Sequence, residues 1–283
     1  MPEAHHNKMG TMPVGKLLFS MSLPIIISML VQALYNVVDS IFVAQLSEDA
    51  LTAVSLAFPV QNLMIGFGVG TGVGMASLLS RSLGARDMEE VNRSALNGIF
   101  LQLVNWVLFV LFGLCFSKTF FQAQGAADNI AQMGADYMFI VTVFSFGLFI
   151  AICFERLLQS TGRTTLSMLS QLCGALTNII LDPILIFGWL GLPAMGVRGA
   201  AIATVIGQMV GALVGIVLNH RLNHEITLRI RGFRPQWATI RRIYVVGIPS
   251  IVMQSIGSVM TFCLNKILIV FSSTAVAVLG VYF

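Results

Sequence analysis

Two aspartates stand where acids are rare. Asp39 lies in SLPIIISMLVQALYNVVDSIFVAQL and Asp182 in TNIILDPILIFG, each inside an otherwise apolar run. A carboxylate at the centre of a membrane helix costs roughly 2.5–3.5 kcal/mol on insertion scales, so such acids face a protein interior and are functional by default. Ser28, Gln32, Tyr35 or Asn36, and Asp39 recur every three or four residues, and Gln171, Asn178 and Asp182 are spaced by seven and four. Each acid therefore shares one helical face with amide or hydroxyl groups. Two carboxylates beside such groups could bind a sodium ion, at Asp39, Asn178 and Asp182, or could share a proton. Each acid also lies nine residues before a plausible outer helix end, Glu48 and Gly191, which puts both at a similar depth. If their helices face each other, they form one site.

The elements that must position these groups follow from composition. Hydrophobic residues make up 57% of the chain and charged ones only 10%, against about 25% charged in soluble domains. The mean hydropathy is +0.87. The expected class is an all-α integral membrane protein. At roughly 20 apolar residues per crossing, spans are predicted at 17–46, 51–80, 95–117, 130–154, 164–189, 199–219 and 243–270. The run from 273 to 283 is half a span, so the chain reads as C-terminally truncated and is expected to be inactive by itself. The apolar run after Lys16 is too long for a signal peptide and has no small-residue cleavage site, which makes the first span uncleaved.

Basic residues give the orientation, because Lys and Arg collect in cytoplasmic loops. With the N-terminus inside, every Lys and Arg falls on the cytoplasmic side except Lys118, Arg198 and Lys266. The expected location is the cell (inner) membrane, multi-pass, with a cytoplasmic N-terminus. The net charge of +4 then reflects topology and contact with membrane lipids, and no nucleic acid partner is expected. The longest polar connection, NHRLNHEITLRIRGFRPQWATIRR, looks like a linker between two halves. Laying 22–58 over 247–283 pairs Pro24 with Pro249, Ile26 with Ile251, Ser47 with Ser272, Ala50 with Ala275 and Phe58 with Phe283. Six spans separate the copies, so the repeat is parallel. The expected division is a tail at 1–16, a six-helix lobe at 17–219, a cytoplasmic inter-lobe loop at 220–242, and the start of a second lobe at 243–283.

Other chemistry is poorly supported. His220 and His224 have the spacing of metal ligands but no third ligand nearby, and all four His lie outside the spans, so neither a metal centre nor an intramembrane enzyme is expected. The glycines at 66, 68, 70, 72 and 74 lack the following Lys of a phosphate loop and read as close helix packing. The four cysteines are scattered through apolar runs and form no disulfide framework.

Several segments together resemble the multidrug and toxic compound extrusion (MATE) family, in the bacterial branch that includes the staphylococcal multidrug pump. They are SLPIIISMLVQALYNVVDSIFVAQL, ALTAVSLAFP, SRSLGARD, TNIILDPILIFG, VRGAAIATVIGQ and GIPS with the later Leu264-Asn265. The resemblance implies the first lobe and the start of the second lobe of a twelve-helix fold. It also implies secondary active efflux of small-molecule cationic lipophilic drugs against sodium ions or protons, with no cofactor and no obligate protein partner. By the same resemblance Thr204 joins Asp39, Asn178 and Asp182 as a coupling residue, and Tyr137 joins Gln32, Tyr35 and Asn36 as cavity lining. For those four, helix-to-helix hydrogen bonding is the competing reading. The alternative function is a flippase for a lipid-linked oligosaccharide, which would show Arg inside the spans; none is expected there. Leu264 occupies the repeat position of Asp39, so the acid is not duplicated.

Overall fold

The computed structural model describes residues 12–226 and 228–282, without the side chains of 281 and 282. The first eleven residues of the expected tail, Lys8 included, and Phe283 of the proposed repeat lie outside the described residues. The chain forms α1 (Val14–Ala44), α2 (Glu48–Gly84), α3 (Met88–Gln124), α4 (Asp128–Val143), α5 (Phe146–Ser160) and α6 (Thr164–Phe187). A short 3-10 turn (Trp189–Gly191) precedes α7 (Val197–Leu222), α8 (Trp237–Phe271) and α9 (Ser273–Tyr282). No strand occurs among the described residues. Six of these helices are long and apolar enough to cross a membrane, and the bent pair α4 and α5 counts as a seventh when taken as one span.

Local chemistry sets the helix ends. Ser47 Oγ accepts from the Ala50 amide at 3.0 Å and Asp87 Oδ1 from the Glu90 amide at 3.0 Å, capping α2 and α3. Acids in both first turns complement the helix dipole. Gly125 and Gly188 close α3 and α6 with φ of 83° and 75°, a left-handed conformation that glycine adopts without a Cβ clash.

The fourth span differs from the single predicted helix at 130–154. It runs from Asp128 to Ser160 and bends by 47° between α4 and α5. No proline causes the bend. Thr142 Oγ1 donates back to the Met138 carbonyl at 2.7 Å and Ser145 Oγ to the Thr142 carbonyl at 2.6 Å, a back-bonding that bends helices. Trp106 Nε1 of α3 then donates to the Val143 carbonyl at 3.1 Å, at the break itself.

Helices in lipid gain little from hydrophobic association, so close backbone packing has to hold the bundle. α2 is its pillar, packed against α3, α4, α5, α8 and α9. Its glycines divide by helical period into two seams. Gly66, Gly70 and Gly74 meet α8, and Gly68 and Gly72 meet Phe149, Ile152 and Arg156 of α5. At the first crossing a Cβ on Gly247 would stand 2.9 Å from the Gly70 carbonyl oxygen. The packing reading of these glycines is borne out. A third seam joins α6 to α7, where a Cβ on Gly207 would stand 2.8 Å from the Gly174 carbonyl oxygen.

α1 is held differently. It packs along α6, with an edge-on Phe42–Phe187 contact at 6.3 Å, and touches α2 and α7 only lightly. Pro24 inside it removes one helical hydrogen bond, and Ser28 Oγ donates to the Pro24 carbonyl at 3.0 Å.

A Cβ on Gly74 would collide with the Ile243 carbonyl, whereas Gly257 has open space around it. Gly74→Val is expected to lower stability in detergent by about 1–3 kcal/mol, the usual cost of overpacking, with Gly257→Val near neutral. Thermal melts followed by size-exclusion chromatography test this, and equal melts for the two variants would contradict the seam.

Candidate functional site

The seam between α1 and α6 carries the polar centre. Tight glycine packing of α6 on α7 brings Asn178 and Thr204 together, and Asn178 Nδ2 lies 3.5 Å from Thr204 Oγ1 and 3.2 Å from Asp182 Oδ1. Asp39, from α1, comes within hydrogen-bonding reach of Asp182. The four residues Asp39, Asn178, Asp182 and Thr204 are thus one cluster. All are buried, Asp39 at 8% exposure and Asp182 at 0%.

The inventory of donors and acceptors is unbalanced. Asp39 Oδ1, Asp182 Oδ2 and Asn178 Oδ1 are buried with no hydrogen-bond partner. The ion pairs among the described residues join Arg93, Arg198 and Arg242 to surface acids, and none involves Asp39 or Asp182. An ionised carboxylate only accepts hydrogen bonds, and a buried charge without a partner is costly. A proton between the two carboxylates, or a hard cation among the three free oxygens, would satisfy the cluster. Pro183 follows directly and deprives the Ile179 carbonyl of its helical donor, so the backbone beside Asp182 is also rich in acceptors.

Two cavities of about 330 Å³ and 360 Å³ lie along the inner side of α1. Gln32, Tyr35 and Asn36 line both, together with Thr204 and Gln208 of α7. Asp39 and Asp182 line neither, and Asn178 lies at the wall of the smaller one. Tyr137 is placed otherwise than expected. It is buried behind the wall and its Oη accepts from Gln61 Nε2 at 2.8 Å, and it is Gln61 that lines the larger cavity.

Three site residues escape the sequence reading. Gln208 lies four residues after Thr204 on the same helical face, a spacing that could have found it, and its Oε1 is buried without a partner. Glu155 and Arg156 fall beyond the predicted end of the fourth span, because hydropathy drops there. α5 instead continues to Ser160, and both line the smaller cavity. Arg156 thus lies in the last turns of α5, past the predicted end of the fourth span.

The MatE family model matches residues 24–184. The multidrug export protein MepA of Staphylococcus aureus is 27% identical over 272 residues, covering 96% of this chain and 59% of that protein. An FAD transporter of Shewanella oneidensis is 30% identical over 193 residues, 68% of this chain and 43% of its own length. Among solved structures, the MATE multidrug transporter DinF-BH, solved as a complex, superposes with a TM-score of 0.87 at 34% identity, covering 96% of this chain and 60% of that one. An inward-facing multidrug resistance MATE family transporter of the MOP superfamily gives 0.84 at 31% identity, covering 93% and 60%. The chain spans 59% of the length of the MepA relatives it matches.

If the two acids serve function at the expense of the fold, neutralising one should stabilise the protein. Asp39→Asn is expected to raise the melting point in detergent, since it removes one of two adjacent unpaired charges. A clear drop instead would mean that Asp39 is a structural anchor for α1.

Proposed function

This chain belongs to the MatE family, and from that premise we propose that it is part of a secondary active multidrug efflux transporter, exchanging cationic lipophilic compounds for sodium ions or protons. The observation that carries this reading is the buried cluster of unsatisfied acceptors at Asp39, Asn178 and Asp182, adjoining a cavity lined by Gln32, Tyr35 and Asn36. Such a cluster is a receptor for small positive species. The cavity beside it is large enough for an organic molecule and apolar enough for a lipophilic one.

Exchange follows from where the cluster sits. α1 is the most lightly held long helix of the bundle, and its Asp39 faces Asp182 across the seam with α6. When the cavity is open outward, a proton or sodium ion neutralises the pair, α1 and α6 close together, and the cavity wall formed by Gln32, Tyr35 and Asn36 shifts. Drug leaves. When the cavity is open inward, the site empties, the two carboxylates repel each other, and the negative field favours entry of a cation. Pro24 supplies a point at which α1 can bend. Each charge moved across the membrane is worth about 2.3 kcal/mol per 100 mV, enough to drive the cycle in one direction. Tyr137 acts through Gln61, which it holds at the cavity wall. Coupling is placed in this first lobe because α8 carries Leu264 where α1 carries Asp39; the neighbouring Asn265 instead donates to the Ser55 carbonyl at 3.3 Å.

The proposed orientation has the N-terminus and the Arg-rich loop around Arg229, Arg231 and Arg234 in the cytoplasm of the cell's inner membrane. In a background with Cys115 and Cys263 changed to Ala, R231C should react with an impermeant maleimide only in inside-out vesicles. Reaction in intact cells would invert the topology.

Efflux tests the function directly. The full-length gene product and the 283-residue chain are expressed in a pump-deficient cell, each with and without Asp39→Asn, and ethidium efflux is measured. Efflux by the full-length protein should fall to the empty-vector level in the variant. Unchanged efflux there would remove Asp39 from coupling.

A further inference from the structure

A third carboxylate borders the smaller cavity, far from the pair at Asp39 and Asp182. Glu155 projects from α5 and its Oε2 accepts from Gln171 Nε2 of α6 at 2.6 Å. Gln171 lies eleven residues before Asp182 on the same helix, so the two acidic centres are separated by about 16 Å along α6 at 1.5 Å per residue. One ligand charge cannot touch both.

Glu155 is also available to a ligand. The neighbouring Arg156 does not form an ion pair with it among the described residues. Instead Arg156 Nη1 donates to Gln159 Oε1 at 2.9 Å, and Gln159 Nε2 donates to Ser167 Oγ at 3.0 Å, which anchors the guanidinium one turn of α6 away from Gln171. The stem of Arg156 packs over Gly72 of α2, which fixes its direction further. The cavity wall sets apolar side chains, Met29, Ile65, Val69, Leu148, Ile152 and Ala175, beside the polar groups of α1 and α7 named above. Half-buried at this wall, one carboxylate has a large effect on which ligand charge is accepted.

We propose that Glu155 is the cation-selecting group of this cavity, holding the positively charged nitrogen of a lipophilic cation while Asp39 and Asp182 serve the coupling ion; this rests on the transporter reading above. The cargo charge and the coupling charge are then handled by different carboxylates, Glu155 of α5 meeting one end of α6 at Gln171 and Asp39 of α1 meeting its other stretch at Asp182. Gln171 positions Glu155, and the apolar wall takes the body of the ligand. A charge-assisted hydrogen bond in such a site favours the cation over a neutral ligand of the same shape by roughly tenfold or more.

The test is equilibrium binding to the purified full-length protein, using a fluorescent lipophilic monocation and an uncharged dye of matching shape. Wild-type protein should bind the cation at least about tenfold more tightly than the neutral dye. Glu155→Gln, which keeps size and can still accept from Gln171, should bring that ratio close to one with neutral-dye affinity unchanged, which also reports an intact fold. Glu155→Asp should restore most of the preference. A ratio that survives Glu155→Gln would overturn the proposal alone and move cation selection to another carboxylate. If neither dye binds wild-type protein, the transporter reading falls, and the proposal with it.

Discussion

Two carboxylates sit side by side in the apolar middle of this bundle, and no basic side chain among the described ion pairs answers them. Asp39 and Asp182 approach across the seam of α1 and α6, each with a buried oxygen that meets no donor. Like charges so placed push their helices apart unless a proton or a cation comes between them. The surroundings of this pair are organised to keep that tension in place. Asn178 offers one donor to Asp182, Thr204 steadies Asn178, and the close approach of Gly174 and Gly207 brings α7 near enough for both. α1, which bears the other acid, has little hold on any helix except α6. The least anchored long helix therefore carries one of the two buried acids.

The rest of the bundle is firm by contrast. α2 gives up side-chain volume at five glycines, and in return its backbone lies against α8 on one face and α5 on the other. Buried polar bonds cross the same region: Gln102 Nε2 of α3 donates to the Gly68 carbonyl at 2.8 Å, and Asn105 Nδ2 to Thr71 Oγ1 at 3.0 Å. In lipid these contacts, rather than exclusion of water, hold helices together. A firm pillar thus stands beside a lightly held helix.

Much of this is legible in the sequence, for reasons that differ by residue. Asp39 and Asp182 stand out because a lone acid in an apolar run is costly enough to demand an explanation. Asn178 follows from the four-residue step to Asp182, and the glycine spacing points to packing. Thr204 carries no signal of its own and comes only from the family resemblance. The break between α4 and α5 is hidden, since it depends on Thr142 and Ser145 bonding to their own backbone and not on a proline or glycine. Glu155 and Arg156 are hidden for the opposite reason. Charge marks them as loop, but a cavity reaches into the bundle there and lets the helix continue with charged side chains facing it. Tyr137 is tied to the cavity by resemblance, yet its hydroxyl is taken up by Gln61 and its ring lies in the core.

The most direct measurement is the number of positive charges released when a cationic drug binds. Purified full-length protein in weak buffer would be mixed with drug while a pH dye and radioactive sodium report the two ions. Displacement of about one proton or one sodium ion per drug bound is expected from wild-type protein, and none from Asp39→Asn. Drug binding that displaces neither ion from wild-type protein, or an undiminished release in the variant, would contradict the central role given to the buried pair.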